Sequence, residues 1–347
     1  MTDDVLVDVT GLKKYFPLQQ GIVARLRGED PDYVRAVDGV TFTIKRGEVL
    51  GLAGESGSGK TTIGRLVLRL VDATEGTVLF DGIDLNALPA GQMRRLRARM
   101  QLIFQDPMAS MNPRMRVGAG IGHPYRVHIN DDADAIEAAV LDIMERVGLT
   151  PARALYDKFP HQLSGGQRQR AVIARALITQ PDLIVADEPI AMADVSVRVV
   201  LLDLMKELKA EFNLTYLFIT HDLATAKYIC DRIAIMYLGK MVEIGDLEHV
   251  YGNPQHPYTR ALLAAVPIPD PATRTDEPPI RGEIPNPINP PSGCRFHTRC
   301  PIAQDVCKEI VPPMREVPGE PGHFAACHLR TGDYQALATT RQADTPA

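Results

Sequence analysis

Long apolar segments are missing from this 347-residue sequence, since no run approaches the 18 or so consecutive apolar residues of a bilayer-spanning helix. We therefore expect no transmembrane segment, and any membrane role has to be peripheral. The first residues, Met1-Thr-Asp-Asp, are not a basic segment followed by an apolar one, so no secretory signal is expected. An excess of positive charge is missing too, because 38 Lys and Arg against 43 Asp and Glu leave a net charge of −5. This balance argues against a broad nucleic-acid-binding surface.

Cysteine is scarce and unevenly placed. Cys230 stands alone, whereas Cys294, Cys300, Cys307 and Cys327 fall within 34 residues near the C-terminus. A secreted disulfide scaffold would be short and rich in cysteine throughout, so the composition excludes that class. The local cluster favours a metal or iron–sulfur site over disulfide bridges.

Strand patterns and helix patterns alternate along most of the chain. This alternation is typical of a mostly parallel sheet covered by helices on both faces, so we expect an α/β fold. The run 92–100 carries four arginines and is predicted to be a solvated helix face. The predicted strands are 40–45, 49–53, 182–187 and 214–220, and the predicted helices are 131–147, 166–178 and 195–211.

The composition changes after about residue 252. Nine prolines lie between residues 267 and 291, too many for a packed helix or a central strand. They predict a linker that leads into the segment with the four clustered cysteines. Residues 331–347 are predicted to be a disordered tail.

A glycine-rich loop with the pattern G-x-x-x-x-G-K-[ST] lies between a predicted strand and a predicted helix. Its residues are Gly54, Glu55, Ser56, Gly57, Ser58, Gly59, Lys60 and Thr61. Glycines let successive backbone N–H groups surround phosphate oxygens, and the positive end of the helix dipole points at the same place. Lys60 is expected to reach the outer phosphates and Thr61 to offer its hydroxyl to Mg²⁺.

An apolar strand over residues 183–186 ends in two carboxylates, Asp187 and Glu188. Ligands of open α/β sheets bind at the carboxyl ends of the strands, where these acids are placed. Together with the phosphate-binding loop upstream, they predict Asp187 as the Mg²⁺-side carboxylate and Glu188 as the base that polarises water.

A second glycine-flanked helix start occurs at Leu163-Ser-Gly-Gly-Gln167. Ser164 is a candidate helix cap, and the following N–H groups form another anion-binding element. The pattern alone leaves open whether both helix starts face one nucleotide.

Six motifs in this order resemble the nucleotide-binding subunits of ATP-binding cassette (ABC) transporters. They are the loop 54–61, Gln105 in Phe-Gln-Asp-Pro, the signature 163–167, the strand ending in Asp187-Glu188, Asp194, and His221 in Ile-Thr-His-Asp. The resemblance covers roughly residues 5–250. It implies a P-loop NTPase cassette, in which a RecA-like core carries a β-subdomain and a helical subdomain at about 106–165. Residues 1–250 would be the nucleotide-binding domain.

The resemblance also implies the roles of individual residues. Glu188, His221 and Gln105 would be catalytic, with His221 at the γ-phosphate and Gln105 sensing Mg²⁺ and the membrane partner. Mg²⁺ would be held through Thr61, Gln105 and Asp187. Two subunits would stack head to tail, with ATP between one loop and the other subunit's signature. The implied ATP-binding residues are Phe16, Gly54, Glu55, Ser56, Gly57, Ser58, Gly59, Lys60, Thr61, Thr62, Ser164, Gly165, Gly166, Gln167 and Asp194.

The adenine ring needs a flat partner, and the chain has no tryptophan. The family places an aromatic residue near the end of the first strand, where Phe16 matches best and Tyr15 second, with Tyr33 as the third candidate. The loop Ala191-Met-Ala-Asp194 departs from the usual Ser-Ala-Leu-Asp of the family, although it keeps Asp194. Because this loop crosses to the opposite subunit in the family, the departure concerns communication between sites more than ATP binding.

Two further segments narrow the resemblance to ATPases of oligopeptide and dipeptide importers. They are residues 253–267, beginning Asn-Pro-Gln-His256-Pro-Tyr258, and residues 104–113. Residues 251–330 would then form a small regulatory C-terminal extension that carries the cysteines. The implied partners are two transmembrane permease subunits, a paralogous ATPase and, indirectly, an extracytoplasmic substrate-binding protein, with no nucleic acid. The chain would work peripherally at the cytoplasmic face of the membrane.

Other assignments remain open at this point. Nickel and glutathione importers share the extension, so they are alternatives for the substrate. A soluble ABC ATPase of DNA repair or of ribosomes usually has a coiled-coil insertion or two cassettes, and this sequence has neither. A non-hydrolysing regulatory module is disfavoured by Glu188 and His221.

The cysteine spacing C-x5-C-x6-C-x19-C lacks the short hooks of structural zinc sites and suits an iron–sulfur cluster better. Some peptide-importer ATPases resemble this chain in carrying such a tail, which favours a structural [4Fe–4S] cluster. Zinc and four free thiols are the alternatives. Cys230 is predicted to be a buried thiol on a helix, with no part in the site.

Overall fold

The computed structural model describes residues 4–18, 31–266 and 282–331. The first part of the predicted proline-rich linker, residues 267–281, and the predicted tail from residue 332 onward lie outside the described residues.

The described chain contains twelve strands and twelve α-helices. The strands are β1 (Val5–Pro17), β2 (Tyr33–Lys45), β3 (Val49–Ala53), β4 (Glu75–Phe80), β5 (Ile83–Asp84), β6 (Met100–Ile103), β7 (Leu183–Asp187), β8 (Thr215–Thr220), β9 (Arg232–Tyr237), β10 (Lys240–Asp246), β11 (Arg315–Glu316) and β12 (Phe324–Ala325). The helices are α1 (Lys60–Val67), α2 (Ala90–Leu96), α3 (Pro107–Ser110), α4 (Val117–His128), α5 (Ala133–Arg146), α6 (Ala152–Tyr156), α7 (Gly165–Leu177), α8 (Val195–Phe212), α9 (Leu223–Ile229), α10 (Leu247–Gly252), α11 (Pro257–Ala264) and α12 (Asp305–Glu309).

The strands form two sheets. The larger has the order β11-β12-β10-β9-β3-β8-β7-β6, in which β9, β3, β8, β7 and β6 are parallel. The smaller is antiparallel, with the order β2-β1-β4-β5. Because the central strands are parallel, their carboxyl ends meet at one edge of the larger sheet, and the functional loops leave from that edge.

Alternation along the central strands explains why the larger sheet is covered on both faces. On β7, Leu183 and Val185 belong to a core shared with the antiparallel sheet and α1. Ile184 and Ala186 belong to a second core, shared with α4, α5, α7 and α8. Successive side chains of a strand point to opposite faces, so an almost continuous apolar strand is buried on both sides.

A helical layer is inserted between β6 and β7. Its longest helix, α5, begins after Asp132, whose carboxylate accepts hydrogen bonds from the N–H groups of Asp134 and Ala135. One face of α5 is buried, with the apolar side chains of Ile136, Val140, Ile143 and Met144. This spacing of three and four residues is the pattern that predicts a helix here.

The C-terminal segment continues the larger sheet. β12 pairs with β10 through the register Glu243↔Ala325 and Ile244↔Phe324, and β11 pairs with β12. The buried carboxylate of Glu243 accepts hydrogen bonds from the backbone N–H groups of Gln255 and His256, at 2.7 and 2.9 Å. β11, β12 and residues 255–256 are therefore joined to the core by sheet pairing and by buried polar contacts.

Most predicted elements are confirmed, and one is wrong. The strands at 49–53, 182–187 and 214–220 and the helices at 131–147, 166–178 and 195–211 agree with the structure to within two residues. The helix predicted over 92–100 ends at Leu96, and Met100 begins β6 instead. The side chain of Arg99 pairs with Asp81 and Asp182.

In the described part of the chain, no helix has both the length and the apolar character needed to cross a membrane.

Candidate functional site

The loop 54–61 connects the end of β3 to the start of α1 with a backbone that only glycine can follow. Gly54 and Gly59 have φ values of 149° and 105°. A Cβ at Gly54 would lie 2.2 Å from the carbonyl oxygen of Met236, and one at Gly59 would lie 2.1 Å from that of Ala36. The loop is therefore packed tightly between β2 and β9, while Ser56 and Gly57 at its tip are exposed.

The ammonium of Lys60 lies inside this loop. It donates hydrogen bonds to the carbonyl oxygens of Gly54 and Glu55, at 2.7 and 2.9 Å, and the side chain is buried. Burial lowers the pKa of Lys60, against the attraction of the carboxylates of Glu188, Asp187 and Glu55. The positive charge is thus held where outer phosphate oxygens would be bound.

Thr61 and Asp187 meet at the carboxyl edge of the sheet. The Thr61 hydroxyl donates to Asp187 Oδ1 at 3.1 Å. Burial raises the pKa of Asp187, and the charge of Glu188 adds to this effect. A bound divalent cation would favour the ionised form of the Asp187 carboxylate. Mg²⁺ is bound by hydroxyl, carboxylate and amide oxygens, together with phosphate and water oxygens. The donors present therefore fit Mg²⁺ at Thr61 and Asp187.

Glu188 is the centre of a three-residue cluster. Gln105 Nε2 donates to its Oε2 at 2.9 Å, and His221 Nδ1 lies 3.0 Å from its Oε1. The backbone of Glu188 has φ 47°, a left-handed conformation that turns its side chain out of the line of β7. The predicted catalytic residues Glu188, Gln105 and His221, which are far apart in the sequence, thus share one place beside Lys60 and Asp187.

The second anion-binding element begins α7. Ser164 Oγ accepts from the N–H of Gln167 at 3.2 Å, and Gln167 Oε1 accepts from the N–H of Ser164 at 3.0 Å, so the two residues form a capping box. Ser164 and Gly165 are exposed. In the described residues no hydrogen bond or ion pair joins 163–167 to 54–61, so this helix start does not complete the loop of its own chain.

The three aromatic candidates for adenine differ in their surroundings. The Tyr15 hydroxyl donates to Asp38 Oδ1 at 2.6 Å, and burial with this contact raises the pKa of Tyr15 to about 12. Phe16 is 37% exposed, with the Lys14 ammonium 5.1 Å from its ring centroid. Tyr33, paired with Pro17 at the strand end, is 42% exposed. Phe16 and Tyr33 are thus partly exposed, whereas the Tyr15 hydroxyl is held by Asp38.

The loop 191–194 projects from the same edge. Met192 is 68% exposed, and Asp194 begins α8 without capping it through its side chain. Its carboxylate is exposed, as a residue that contacts another subunit needs to be.

Two residues of the C-terminal segment hold the loop 54–61 in place, and neither was among the predicted site residues. The hydroxyl of Tyr258 accepts from the N–H of Glu55 at 2.8 Å. Arg299 donates to both carboxylate oxygens of Glu55, at 2.9 and 3.3 Å. Tyr258 lies in the 253–267 segment that carries the subfamily resemblance, but the pattern did not indicate what it touches. No sequence signal marks Arg299.

The four clustered cysteines lie around one small cavity of about 20 Å³. Burial raises the pKa of Cys294 to about 12 and that of Cys300 to about 11, and the neighbouring thiols oppose ionisation further. Four thiols are donors that suit a soft metal centre. Yet within 4–18, 31–266 and 282–331 no group of three or more His, Cys, Asp or Glu residues is arranged to hold a metal ion. The structure therefore does not support the predicted cluster or zinc site, nor a regulatory role for the extension.

Cys230 is buried, as predicted, but it follows α9 directly and does not lie within the helix.

A cavity of about 270 Å³ forms a groove between β6 and the helical layer. The exposed ring of Phe104 lines it beside His123 and Val127 of α4 and Arg175 of α7. Phe104 precedes Gln105, so the groove adjoins the cluster around Glu188.

Two family models match the chain. Residues 37–191 match the ABC transporter model, and residues 242–307 match the C-terminal region of oligopeptide/dipeptide transporters. The second match includes Tyr258, Arg299 and three of the clustered cysteines.

Curated relatives and solved structures are similar over most of the chain. A peptide import ATP-binding protein of Brucella ovis is 49% identical, and the oligopeptide transport ATP-binding protein AppF of Bacillus subtilis is 46% identical; each comparison covers 94% of this chain and 98% of the relative. The ATP-binding cassette MJ0796, solved as a dimer bound to ADP and phosphate, has a TM-score of 0.60 at 26% identity, over 70% of this chain and 98% of that one. The cbiO1 subunit from Clostridium perfringens, part of an ABC transporter complex, has a TM-score of 0.61 at 26% identity, over 72% and 92%.

Proposed function

Since the chain belongs to the ABC transporter family, as an ATP-binding subunit of the oligopeptide/dipeptide type, we propose that it binds ATP at residues 54–61 and hydrolyses it to drive peptide import. The observation that carries this proposal is the meeting of Lys60, the Thr61–Asp187 pair and the Gln105–Glu188–His221 cluster at one sheet edge. A phosphate site and a general base are thereby adjacent.

Each group has a defined task in this proposal. The N–H groups of 54–62 and the Lys60 ammonium bind phosphate oxygens. Thr61, Asp187 and Gln105 would hold Mg²⁺, which would supply positive charge beside the outer phosphates. Glu188 accepts a proton from the attacking water, and its contact with His221 fixes the orientation of the carboxylate. The side chain of His221 is exposed, as the proposed contact with the γ-phosphate requires. Phe16 provides the ring face for adenine.

We propose further that the complete site needs a second subunit. The signature residues Ser164, Gly165, Gly166 and Gln167 form an exposed anion-binding helix start with no contact to the loop of their own chain among the described residues. In the proposed head-to-tail dimer they contact ATP bound to a paralogous ATPase, and Asp194 reaches across the interface. The altered loop 191–194 fits an asymmetric pair whose two sites differ.

The groove beside Phe104 is the proposed contact with the transmembrane permease subunits. It is apolar at Phe104 and Val127, basic at Arg97 and Arg175, and adjoins Gln105. A permease loop seated there would act directly on the glutamine that donates to Glu188. Two permease subunits would hold the ATPase pair at the cytoplasmic face of the membrane, so the transported peptide never touches this chain.

The proposed domain division is 1–250 for the nucleotide-binding domain, with the helical subdomain at about 106–165, followed by the extension 251–330 and the tail 331–347. Within the extension, we propose that Cys294, Cys300, Cys307 and Cys327 bind a [4Fe–4S] cluster with a structural role. The proposal rests on the cysteine spacing and on the cavity that all four thiols line, although the described residues contain no group already arranged for a metal ion. A bound metal centre would stabilise thiolates that burial disfavours.

Transport assays on the assembled importer test the proposal. The chain is co-purified with its candidate permease subunits and paralogous ATPase, and placed in vesicles with a peptide-binding protein. We expect di- or oligopeptides to stimulate both phosphate release and peptide uptake. Lys60→Ala should abolish both, whereas Lys158→Ala, an exposed lysine on the helical layer, should change neither.

Stimulation by nickel or glutathione but not by peptides would contradict the substrate assignment. Peptide uptake that persists in the Lys60→Ala importer would contradict the ATP site itself.

A further inference from the structure

Glu55, the second residue of the phosphate-binding loop, is held at two points by the C-terminal extension. Its backbone N–H donates to the Tyr258 hydroxyl at 2.8 Å, and its carboxylate accepts from both terminal nitrogens of Arg299. A bidentate pair of this kind fixes orientation as well as distance. The loop is thus anchored from a part of the chain that carries none of the nucleotide motifs.

Both anchoring side chains are themselves rigidly packed. Tyr258 is fully buried, and its ring lies against Tyr237 and Phe296, with centroids 4.7 and 5.4 Å away. Arg299 is 7% exposed and also donates to the Tyr237 hydroxyl at 3.3 Å. Since Tyr237 ends β9 next to the loop, the anchor belongs to the same sheet edge as the site.

The position of Glu55 matters for phosphate binding in two ways. Its carbonyl oxygen accepts from the Lys60 ammonium at 2.9 Å, so a displaced Glu55 would also displace the charge that meets the phosphates. Its carboxylate adds a negative charge to an anion site, which repels ATP unless a cation pairs with it. Arg299 is the cation that pairs with it.

We infer that Arg299 and Tyr258 are positioning residues for ATP binding: they preorganise the loop through Glu55 and cancel its charge, so that the extension sets the affinity of the site for ATP. The inference rests on the proposed assignment of residues 54–61 to ATP. Neither residue touches the reacting atoms, so the effect falls on binding and leaves the hydrolytic step at saturation unchanged.

A merely structural ion pair would behave differently. Its loss would lower thermal stability and leave the affinity of the folded protein for ATP as it was. The pair Arg232–Glu48, at 3.0 Å, provides the matched control, because it joins β9 to the start of β3 at the opposite edge of the sheet.

The test compares ATP dissociation constants, KM, kcat and melting temperatures of the full chain assembled with its partners. For Arg299→Met we expect roughly ten-fold weaker ATP binding and a similar rise in KM, as loss of a charged hydrogen-bond partner predicts, with kcat within about two-fold. Arg299→Met combined with Glu55→Gln should recover most of the affinity, because the unpaired charge is gone. Arg232→Met should lower the melting temperature with unchanged ATP affinity.

Tyr258→Phe keeps the test decisive if Arg299→Met does not fold, since it removes one oxygen only. It should weaken ATP binding several-fold, again without a change in kcat. ATP affinity equal to that of the unaltered chain in both Tyr258→Phe and Arg299→Met would overturn the inference. If Lys60→Ala also binds ATP normally, the failure belongs to the proposed ATP site and not to the anchor.

Discussion

The carboxylate of Glu188 is oriented both by the backbone conformation of the residue and by contacts with two side chains. Its φ of 47° turns the carboxylate away from the strand, and Gln105 and His221 contact one oxygen each. A carboxylate fixed in this way can accept a proton from water without first reorganising its own hydrogen bonds.

We predict that Glu188→Gln slows ATP hydrolysis by about 10²–10⁴-fold, the usual contribution of a general base, and retains ATP binding. The amide keeps the shape of the side chain but cannot accept the proton. Phosphate release at saturating ATP, measured together with the ATP dissociation constant in the assembled importer, checks this. Glu207→Gln, on an exposed face of α8, is the control. Turnover close to normal in Glu188→Gln would remove the residue from its assigned role.

Residues that lie in one motif or at a strand end were accessible to sequence analysis. Lys60 and Thr61 follow the glycines directly, and Asp187 and Glu188 end an apolar strand, so each motif could be identified by itself. The two motifs could then be assigned to one site because ligands bind at the carboxyl ends of parallel strands. Tyr258 and Arg299 are separated from Glu55 by 203 and 244 residues, and their contacts arise only from folding. Both side chains are buried in the folded protein, and the burial of a polar residue cannot be predicted from its neighbours in the sequence.

At the level of elements, helix α11 begins with an unusual cap. Nδ1 of His256 accepts from the N–H of Tyr258 at 3.1 Å, which requires that nitrogen to be unprotonated. Burial lowers the pKa of His256 from 6.5 to about 4, against the attraction of Glu243. The Tyr258 that this cap orients is the one that contacts the phosphate-binding loop.

We predict that acid destabilises the extension between pH 6.5 and pH 4. In this window the unfolded chain binds a proton at His256 that the folded chain excludes, so stability falls as the pH falls, by up to about 3 kcal/mol. Melting temperatures from pH 7 to pH 4.5 should decline less steeply in His256→Asn, which keeps a capping acceptor that does not titrate. His161→Asn, at an exposed position, is the control.

His323 contributes with the opposite sign, and the two effects are separable. Although burial lowers its pKa, its contacts with Glu243 at 2.8 Å and Glu320 at 2.5 Å raise the pKa above 6.5 overall. Its stabilising contribution is complete below pH 6.5 and is lost as the pH rises through the raised pKa. Identical acid sensitivity in His256→Asn and the unaltered chain would contradict the assignment to His256.

For the four clustered cysteines, we predict that the anaerobically purified chain is brown and contains about four irons and an equal amount of sulfide. Cys300→Ser should lose the iron, the sulfide and the colour. Removal of the metal by a chelator should lower the melting temperature, because the segment 282–331 has only short elements to stabilise it. Cys230→Ser is the matched control, since this thiol is buried away from the cavity. One zinc without iron, or neither metal, would contradict the cluster.

Element boundaries show where sequence patterns fail. Residues 92–100 have helical spacing of Met93, Leu96 and Met100. The α-helix ends at Leu96, however, and a short 3₁₀ helix over Arg97–Arg99 leads into β6, where Met100 pairs with Leu183 in the parallel sheet. Sheet pairing across more than 80 residues decided the conformation there. Helix α5 could be predicted because both its N-terminal cap, Asp132, and its buried apolar face are formed by residues close together in the sequence.

For the whole molecule, the exposed signature residues at the start of α7 imply that ATPase activity depends on association of two ATPase subunits. We predict that Ser164→Cys in one subunit and Ser56→Cys in another form a disulfide between chains in the presence of ATP, with Glu188→Gln in both to hold the closed dimer. Differently tagged subunits, resolved on a non-reducing gel, distinguish links between chains from links within one. In the control, one subunit carries Ser164→Cys and the other carries Lys158→Cys, and no disulfide between the chains is expected.

The same arrangement predicts that specific ATPase activity of the isolated chain is low and rises with concentration or with the added paralogue. A lone subunit with full, concentration-independent activity would contradict the shared site.

The pairing of β12 with β10 has a consequence for any attempt to separate the parts of this chain. β11 and β12 hold two residues each, yet they cover the outer edge of β10, where Glu243 and Ile244 would otherwise present unpaired N–H and C=O groups. An exposed strand edge is a template for pairing with another chain and so for aggregation. Truncation of the chain after residue 250 would therefore expose the edge of β10 to pairing with other chains, in addition to removing the extension. The C-terminal segment would thereby protect this edge of the sheet from pairing with another chain.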